Sequence, residues 1–387
     1  METKHQEYSE AYKQAGVDTL AGQNLVQLIV PFARKTYNKN VVSDIGGFSA
    51  IYDLSFLKEY KEPVLLTSTD GVGTKLTYAS FFGRYETIGY DLVAMCANDI
   101  LVSGGKSSIF LDYLAVGKLH VHEMSLVIRS IAAACKMIEC SLLGGETAEH
   151  PNVMKDNDFD LAGFMIGFCE KEHLITGDAI QEGDVILGIP SSGIHSNGLS
   201  LIRKLFYDPA SNTPPKDTIQ KEIFDFLKES ILLQPTVLYE KILYEQIKNK
   251  MIKGMVHITG GGYQENIPRI LKENYYVELQ SWDLKSPFKE IQEKGNLSFL
   301  EMTHVFNCGY GMLIFVEQKN VNSMIEQISE NLINYKQTYI KVQKDFFPEY
   351  PEWESNWNLP YLSTEPKILG VVKKNSKYNK KVVFLKV

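Results

Sequence analysis

The stretch Leu65–Leu76, LLTSTDGVGTKL, constrains this chain most. It opens with an apolar run of strand-forming residues, breaks into a glycine-bearing turn and closes with a lysine. A buried strand that ends in such a turn carries backbone amides and polar side chains to the edge of a sheet. Asp70 is then a candidate Mg²⁺ ligand, Gly71 and Gly73 let the backbone approach a phosphate, and Lys75 adds a positive charge. The alternative is a tight turn in which the aspartate and the lysine are solvated.

Composition narrows the class of protein. The chain has 387 residues, 44% hydrophobic and 22% charged, which is typical of a soluble globular protein of about two domains. A net charge of −7 gives no basic field for nucleic acid, and no apolar run is long enough to span a membrane. The N-terminus has no apolar signal-peptide core, and five cysteines without a CxxC pair indicate reduced thiols. These features predict a cytoplasmic protein with neither a nucleic-acid nor a membrane partner.

A second acidic position follows in residues 87–100, where apolar and small residues recur at helical spacing. Asp91 and Asp99 are separated by two helical turns and therefore lie near one face. A carboxylate in so apolar a segment is costly to bury unless a metal ion or a lysine pairs with it. Capping of the helix N-terminus suits Asp91 but not Asp99. We therefore favour Asn98 and Asp99 as ligands of a metal ion or a nucleotide.

Paired glycines recur after other short apolar runs. Gly144 and Gly145 precede Glu146, a candidate third acidic ligand, with Glu149 a weaker one. The loop at Gly46-Gly47 could hold phosphates, although on this pattern alone a plain turn is the favoured explanation.

Polar turns in the second half of the chain predict an anion site. Residues 190–198, PSSGIHSNG, lie between a predicted strand, Val185–Ile189, and a predicted helix, Leu199–Phe206. Amides and hydroxyls converge on anions at such a helix N-terminus. His195 is a candidate general acid or base, or a phosphate donor. Alternatively, Ser196 or Asn197 is a plain N-cap and His195 is solvated.

Three consecutive glycines, Gly260–Gly262, follow the short predicted strand that contains His257 and Thr259. Such a run loses much conformational entropy on folding and usually marks a close approach of the backbone to a ligand. A helix is predicted at Ile267–Leu271.

Both halves repeat the order strand, glycine-rich polar turn, helix, which predicts two α/β domains that face one cleft. We place the boundary so that residues 1–170 form the first domain and residues 171–387 the second. Residues 335–365, rich in aromatics, charge and proline, are interpreted as a surface insertion. Residues 207–222 are interpreted as a polar surface loop.

Seven motifs occur together in one order, and as a set they closely resemble the aminoimidazole ribonucleotide synthetase family, also called phosphoribosylformylglycinamidine cyclo-ligase. The resemblance runs from about Tyr12 to Phe315 and returns for Lys367–Leu385. The motifs are TDGVGTK at 69–75, DLVAMC with ND at 91–99, FLDY at 110–113, GGETAE at 144–149, SSG with HSNG at 191–198, HITGGG with ENIPR at 257–269, and FNCG at 306–309.

This resemblance implies an α/β (α+β), two-domain, PurM-like fold of an ATP-binding superfamily. Its N-terminal domain contributes to a dimeric β-barrel, so a homodimer is implied. The implied reaction belongs to purine biosynthesis: formylglycinamidine ribonucleotide and ATP give aminoimidazole ribonucleotide, ADP and phosphate. ATP phosphorylates the formyl amide oxygen, and the amidine nitrogen then displaces phosphate to close the ring.

The resemblance also implies roles for residues. Asp70, Asp99 and Glu146 would hold Mg²⁺, Lys75 would contact phosphate, and proton transfer would fall to His195 or, second, to His257. The positions implied to contact nucleotide or substrate are Gly46, Gly47, Asp70, Gly71, Gly73, Thr74, Asn98, Asp99, Gly144, Gly145, Ser192, Gly193, Ser196, Asn197, Thr259, Gly260, Gly261 and Gly262.

Three departures from the family pattern stand out. Ser43-Asp44 and Ser49 replace glycines near the nucleotide loop, and Lys106-Ser107 replaces Glu-Pro, which is expected to change the charge near the acidic cluster. The third departure is the segment 335–365, which is longer than is usual in the family and is interpreted as peripheral. Two alternatives stay open: another ATP-using enzyme of the superfamily, such as selenophosphate synthetase or thiamine-phosphate kinase, or a catalytically silent nucleotide-binding protein.

Overall fold

A computed structural model describes residues 16–206, 229–350, 358–374 and 380–385. The predicted loop at 207–222, and residues 351–357 of the predicted insertion, lie outside these ranges. None of the helices in the described ranges is long and apolar enough to cross a membrane.

The first half builds a four-stranded sheet in the order β1-β4-β2-β3, in which β2 and β3 are parallel and the other pairs antiparallel. Short 3₁₀ turns lie at Ser55–Glu59 and Lys171–His173. The elements are α1 (Thr19–Arg34), β1 (Pro63–Gly71), α2 (Lys75–Phe82), α3 (Ile88–Val102), β2 (Lys106–Val116), α4 (Val121–Met137), β3 (Ser141–Glu149) and β4 (Phe159–Glu170).

The second half builds a six-stranded sheet in the order β10-β7-β9-β5-β8-β6. Short 3₁₀ turns lie at Ile267–Arg269 and Gln318–Asn320. The elements are β5 (Val185–Pro190), α5 (Leu199–Phe206), α6 (Glu229–Leu232), α7 (Glu240–Lys248), β6 (Gly254–His257), α8 (Gly262–Asn266), β7 (Tyr275–Gln280), α9 (Phe288–Gly295), α10 (Phe299–Val305), β8 (Tyr310–Val316), α11 (Val321–Phe346), β9 (Lys367–Lys374) and β10 (Val382–Leu385).

Helix α3 is the central element of the first half. Nearly all of its residues are buried, including the polar residues Asp91 and Asn98, whereas Asp99 is exposed. It packs against α4 and against the inner face of the first sheet, and α1 packs against α4 in turn. A helix that is apolar all round belongs in a core, so any carboxylate on it needs a specific partner.

The outer face of the first sheet is open, which corrects the prediction that the strand at 64–66 is buried. In β1, exposed and half-buried residues alternate, and Leu65 is 58% exposed. Tyr113 on β2 and Phe164 on β4 lie on the same face and are 37% and 45% exposed. The apolar run therefore marks an edge strand with an uncovered apolar face, since side chains of a strand alternate between its two faces.

Helix α11 corrects the prediction of a surface insertion at 335–365. The first part of this segment belongs to helix α11, which continues to Phe346, and Tyr335, Tyr339 and Phe346 are fully buried. Tyr339 packs edge-on against Tyr90 of α3 at a centroid distance of 5.3 Å. These apolar residues recur at helical spacing, so this part of the segment is a packed helix that contacts the first half of the chain.

Other element boundaries also differ from expectation. The helix predicted at Ile267–Leu271 lies earlier, at Gly262–Asn266, and strand β7 was not predicted. Residues 233–239, around Pro235, are neither helix nor strand. The proposed division at residue 170 stays a prediction; the first sheet ends at Glu170 and the second begins at Val185.

Candidate active site

Two aspartates predicted as metal ligands, Asp70 and Asp99, lie near each other. Asp70 is the penultimate residue of strand β1 and lines a cavity of about 410 Å³ together with Thr74 and residues 196–200. Burial, followed by the nearby charge of Asp99, raises the pKa of the Asp70 carboxyl above its usual range. A buried carboxylate whose ionised form is disfavoured by a neighbouring negative charge is a favourable environment for a divalent cation.

Asp99 lines a neighbouring cavity of about 400 Å³ and pairs with a histidine. Its side chain is 48% exposed, and its Oδ1 lies 3.2 Å from Nδ1 of His257, which is almost fully buried. The other ring nitrogen, Nε2, lies 3.4 Å from Nδ2 of Asn98. Asn98 itself has no exposed surface, so it contacts protein and not the nucleotide or metal ion predicted for it.

Lys75 also differs from its predicted role. It is fully buried, and its Nζ donates to Asp91 Oδ1 at 2.8 Å and to the carbonyl of Gln234 at 2.6 Å. Burial lowers the pKa of the lysine, and the charge of Asp91 opposes that shift. A lysine held this way is an ion-pair partner inside the protein and is not free to reach a phosphate.

Asp91 collects donors from both halves of the chain. Its Oδ1 accepts hydrogen bonds from Thr236 N at 2.9 Å, Thr236 Oγ1 at 2.6 Å and Ser196 Oγ at 3.1 Å, as well as from Lys75. Thr236 lies in the segment between α6 and α7 and was not singled out from the sequence. The spacing of Asp91 and Asp99 gave no sign that one would be buried and the other open.

The turn at 191–198 lies beside Asp70, and its residues differ in accessibility. Asn197 lines the Asp70 cavity, and Gly193 has a φ of 143°. Ser192 is buried and its hydroxyl donates to the carbonyl of Pro235. Thr74 Oγ1 lies 2.9 Å from Ser200 Oγ, so the turn after β1 and the start of α5 are in contact.

His195 is the predicted proton-transfer residue that the structure supports least. Its side chain is 2% exposed and packs against Tyr239 and Gly311. Its Nε2 accepts from the backbone N–H of Ser192 at 3.3 Å, and its Nδ1 has no hydrogen-bond partner. Burial lowers the pKa of the imidazole well below its usual value. The ring is therefore neutral and directed into the core, not solvated as in the alternative reading.

The glycine turn at 259–262 approaches the same region. A Cβ on Gly260 would lie 3.7 Å from Asn197 Oδ1, whereas one on Gly262 would lie 2.0 Å from a backbone carbonyl. Asn266 holds the turn, since its Nδ2 donates to the carbonyls of Gly260 and Gly262 at 3.1 and 2.7 Å.

Arg269, whose role was not predicted, lines the Asp99 cavity with His257 and Thr259. It is exposed and makes no ion pair with any described residue. An exposed guanidinium in such a cavity is suited to bind a phosphate or carboxylate.

Glu146 does not join the other two acidic residues. Asp70, Gly163, Asp112 and Gly145 form one row across the sheet, so β3 lies three strand spacings, or about 14 Å, from β1. Because side chains alternate, Glu146 belongs to the opposite face from Asp70. Within the described ranges, no three His, Cys, Asp or Glu side chains are grouped to hold a metal ion.

Gly144, Gly145 and Glu146 instead line a mostly apolar cavity of about 260 Å³ between α1, α4 and the first sheet. Ile45, next to Gly46 and Gly47, also lines it. Asp112 is the buried acid of this cavity, and burial raises the pKa of its carboxyl to about 7. The argument applied to Asp91, that one carboxylate in an apolar segment needs a partner, would have identified Asp112 too.

Of the departures from the family pattern, Asp44 and Lys106 lie at the surface, whereas Ser107 is buried. Asp44 forms an exposed ion pair with Arg34, and Ser43 Oγ accepts from the N–H of Ile51 at 2.8 Å. Lys106 pairs with Glu139 at 3.0 Å. It precedes Asp112 by six residues on β2, about 20 Å, so it does not change the charge beside Asp70 as expected.

Comparisons with known proteins agree over most of the chain. Residues 50–169 match the family described as AIR synthase related protein, N-terminal domain, and residues 181–335 match its C-terminal domain. Phosphoribosylformylglycinamidine cyclo-ligase of Alkaliphilus oremlandii is 45% identical over 327 residues, which cover 82% of this chain and 93% of that protein. The protein of the same name from Thermoanaerobacter pseudethanolicus is 47% identical over 320 residues, with the same coverage.

Solved structures share the fold at much lower identity. Escherichia coli HypE aligns with a TM-score of 0.60 and 14% identity, over 94% of this chain and 93% of that one. Thiamine-monophosphate kinase from Stenotrophomonas maltophilia aligns with a TM-score of 0.58 and 12% identity, over 92% and 95%. These likenesses confirm the two-domain PurM-like fold. Identity of 45–47% across 82% of the chain shows the family: the chain belongs to the phosphoribosylformylglycinamidine cyclo-ligases.

Proposed function

We propose that this protein closes formylglycinamidine ribonucleotide to 5-aminoimidazole ribonucleotide, with release of ADP and phosphate, in the cytoplasm. The observation that carries the proposal is the facing pair Asp70 and Asp99, between two cavities and next to two polar turns, in a chain whose curated relatives bear this name. An amide oxygen is a poor nucleophile, so the reaction depends on positioning and on neutralising the phosphate charge.

The donor set of the cleft fits Mg²⁺. Asp70 and Asp99 supply carboxylate oxygens, which are the ligands that this ion prefers, and both border open cavities. When bound, the ion would neutralise the charge of the transferring phosphoryl group. His257 would hold the Asp99 carboxylate in place through its contact with Oδ1.

The cavity lined by Asp112 fits the base of ATP. Its walls are apolar, its volume of about 260 Å³ suits a planar ring, and Asp112 is the buried acid that could bind an exocyclic amine. A Cβ on Gly145 would lie 2.3 Å from Asp112 Oδ1, so only glycine leaves this carboxylate in place. The exposed loop at Gly46-Gly47 stands beside this cavity and would cover the nucleotide.

The substrate phosphate is assigned to the second half of the cleft. Arg269 and Thr259 border the Asp99 cavity, and Gly260, which follows Thr259, lies close to Asn197. A guanidinium next to open backbone amides is a common phosphate site. This arrangement would leave the formyl oxygen of the substrate near Asp99.

A homodimer is part of the proposal because the exposed apolar face of the first sheet would be buried by a second copy of the chain. Leu65, Tyr113 and Phe164 form an exposed apolar patch on this face, and such patches usually mark an interface. We expect the wild-type chain to sediment as a dimer and Phe164→Asp to sediment as a monomer with an unchanged circular dichroism spectrum. A wild-type monomer at micromolar concentration would contradict the assignment.

The activity is tested by ADP release from the purified protein with Mg·ATP, with and without formylglycinamidine ribonucleotide, while the aminoimidazole product is detected in parallel. Substrate-dependent ADP release with an equal amount of product is expected. Binding of ATP without product would instead favour a sister activity of the superfamily or a silent nucleotide-binding protein.

A further inference from the structure

The linking segment, residues 233–239 between α6 and α7, is buried along its whole length although it is neither helix nor strand. Buried irregular backbone requires hydrogen-bond partners. Several of its partners come from the first half of the chain: the carbonyls of Leu233 and Gln234 accept from Thr87 and Lys75 at 2.9 and 2.6 Å. The linking segment therefore joins the two halves at the site.

Asn98 is held at both ends of its amide by this segment. Its Nδ2 donates to the carbonyl of Val237 at 2.9 Å, and its Oδ1 accepts from the N–H of Tyr239 at 3.0 Å. A backbone carbonyl can only accept and a backbone N–H can only donate, so these two contacts determine which end of the amide is nitrogen. The orientation of Asn98 is thus set by the backbone.

The amide nitrogen of Asn98 in turn restricts His257. Its second hydrogen faces Nε2 of the imidazole at 3.4 Å, so this ring nitrogen must act as an acceptor. A neutral histidine with an accepting Nε2 carries its proton on Nδ1. That nitrogen faces Asp99 Oδ1 at 3.2 Å. A proton on Nε2 would instead place two donors against each other.

We infer that Asn98 is a positioning residue that holds His257 in the Nδ1–H tautomer, and that His257 in turn orients the Asp99 carboxylate toward the cavity. His257 then acts as a hydrogen-bond donor to Asp99 and does not transfer a proton to or from the substrate. A neighbouring hydrogen bond often selects the tautomer of a functional histidine in this way. The catalytic consequence rests on the proposed function, whereas the tautomer itself does not.

The tautomer is tested first, in the wild-type protein labelled with ¹⁵N-histidine, without nucleotide or metal ion and at one neutral pH. Two-dimensional ¹H–¹⁵N spectra distinguish a protonated from an unprotonated ring nitrogen, and the His257→Asn spectrum assigns the signals. We expect a protonated Nδ1 and an unprotonated Nε2. Protonation at Nε2 would overturn the inference, whether or not the protein proves to be a cyclo-ligase.

The Asn98→Asp variant shows whether Asn98 is the cause. It keeps an acceptor for Tyr239 but removes the nitrogen that faces His257. Loss of the single Nδ1–H tautomer is expected. An unchanged His257 signal in a folded Asn98→Asp protein would remove Asn98 from this role.

The role of His257 is tested by a pair of substitutions. Asparagine can place an amide N–H near the position of Nδ1 but cannot transfer a proton, whereas leucine can do neither. We expect His257→Asn to retain kcat within about tenfold, and His257→Leu to lower kcat on the order of 100-fold. Equal losses in the two folded variants would instead indicate proton transfer by His257 and overturn the positioning role.

Discussion

Two aspartates on one helix, Asp91 and Asp99 of α3, have opposite environments. Asp91 has no exposed surface, and its Oδ1 takes hydrogen bonds from Lys75, Thr236 and Ser196. Asp99 is about half exposed, contacts His257 and borders a cavity. The first joins the two halves of the molecule, whereas the second remains available to a ligand.

This difference shows that one helix can carry both a carboxylate with a structural role and a carboxylate that is available for binding. A buried ion pair is weak evidence of net stabilisation, but removal of one partner leaves an uncompensated charge in the core. Removal of an exposed carboxylate changes the free energy of unfolding little, because the role of such a group is to bind a ligand. The two positions should therefore respond in opposite ways to the same substitution.

Replacement of Asp91 is expected to have the largest effect on stability. Asp91→Ala leaves Lys75 buried without its anionic partner, and we expect the free energy of unfolding to fall by about 3–5 kcal/mol. Asp99→Ala should change stability by less than about 1 kcal/mol. Urea denaturation of both variants, followed by circular dichroism, measures the difference. Equal losses of unfolding free energy in the two variants would show that the two aspartates do not differ in their structural role.

Activity should show the reverse order among folded variants. Asp99→Asn and Asp70→Asn remove carboxylate charge from the open cleft while they keep the shape of the side chain. We expect each to lower kcat on the order of 100-fold or more, with little change in melting temperature. Steady-state ADP release measures this loss. A near-normal rate for either variant would remove that aspartate from the proposed metal site.

Asp112 sharpens the comparison because it is buried like Asp91 but has no cation partner among the described residues. Its pKa is raised to about 7, so the folded protein binds a proton there that the unfolded chain releases above pH 4. Its contribution to stability is therefore present at low pH and lost as pH rises from about 4 to 7. In Asp112→Asn we expect this loss, on the order of 4 kcal/mol, to disappear from the pH dependence of unfolding. An identical pH dependence in variant and wild type would show that Asp112 ionises normally.

The smallest effect is expected at Lys106, which departs from the family pattern. Its ion pair with Glu139 is exposed. Lys106 also lies six residues along β2 from Asp112, the residue of that strand in the same row as Asp70. Lys106→Ala should change stability by less than about 0.5 kcal/mol and leave ADP release unaltered. A marked loss of activity would reconnect this position to the acidic cleft.

Local order and motif content could be read from the sequence. The alternation of apolar runs and glycine turns predicted two α/β halves. The same pattern predicted the strand–turn–helix units around Asp70 and Ser196. Helix Leu199–Phe206 has the bounds expected from its periodicity. These features depend on neighbouring residues, whose backbone preferences and spacing are visible in the chain itself.

Pairings between distant segments were decided by the tertiary structure. The spacing of Asp91 and Asp99 placed both near one face of a helix, and only the approach of residues 233–239 buried Asp91 and fixed the orientation of Asn98. Strand order separated Glu146 from Asp70, and packing turned His195 into the core. Helix α11 likewise became part of the core where composition had indicated a surface segment. Burial and ion pairing depend on which surfaces meet in space, and residues more than 100 positions apart leave no periodic sign of that meeting in one sequence.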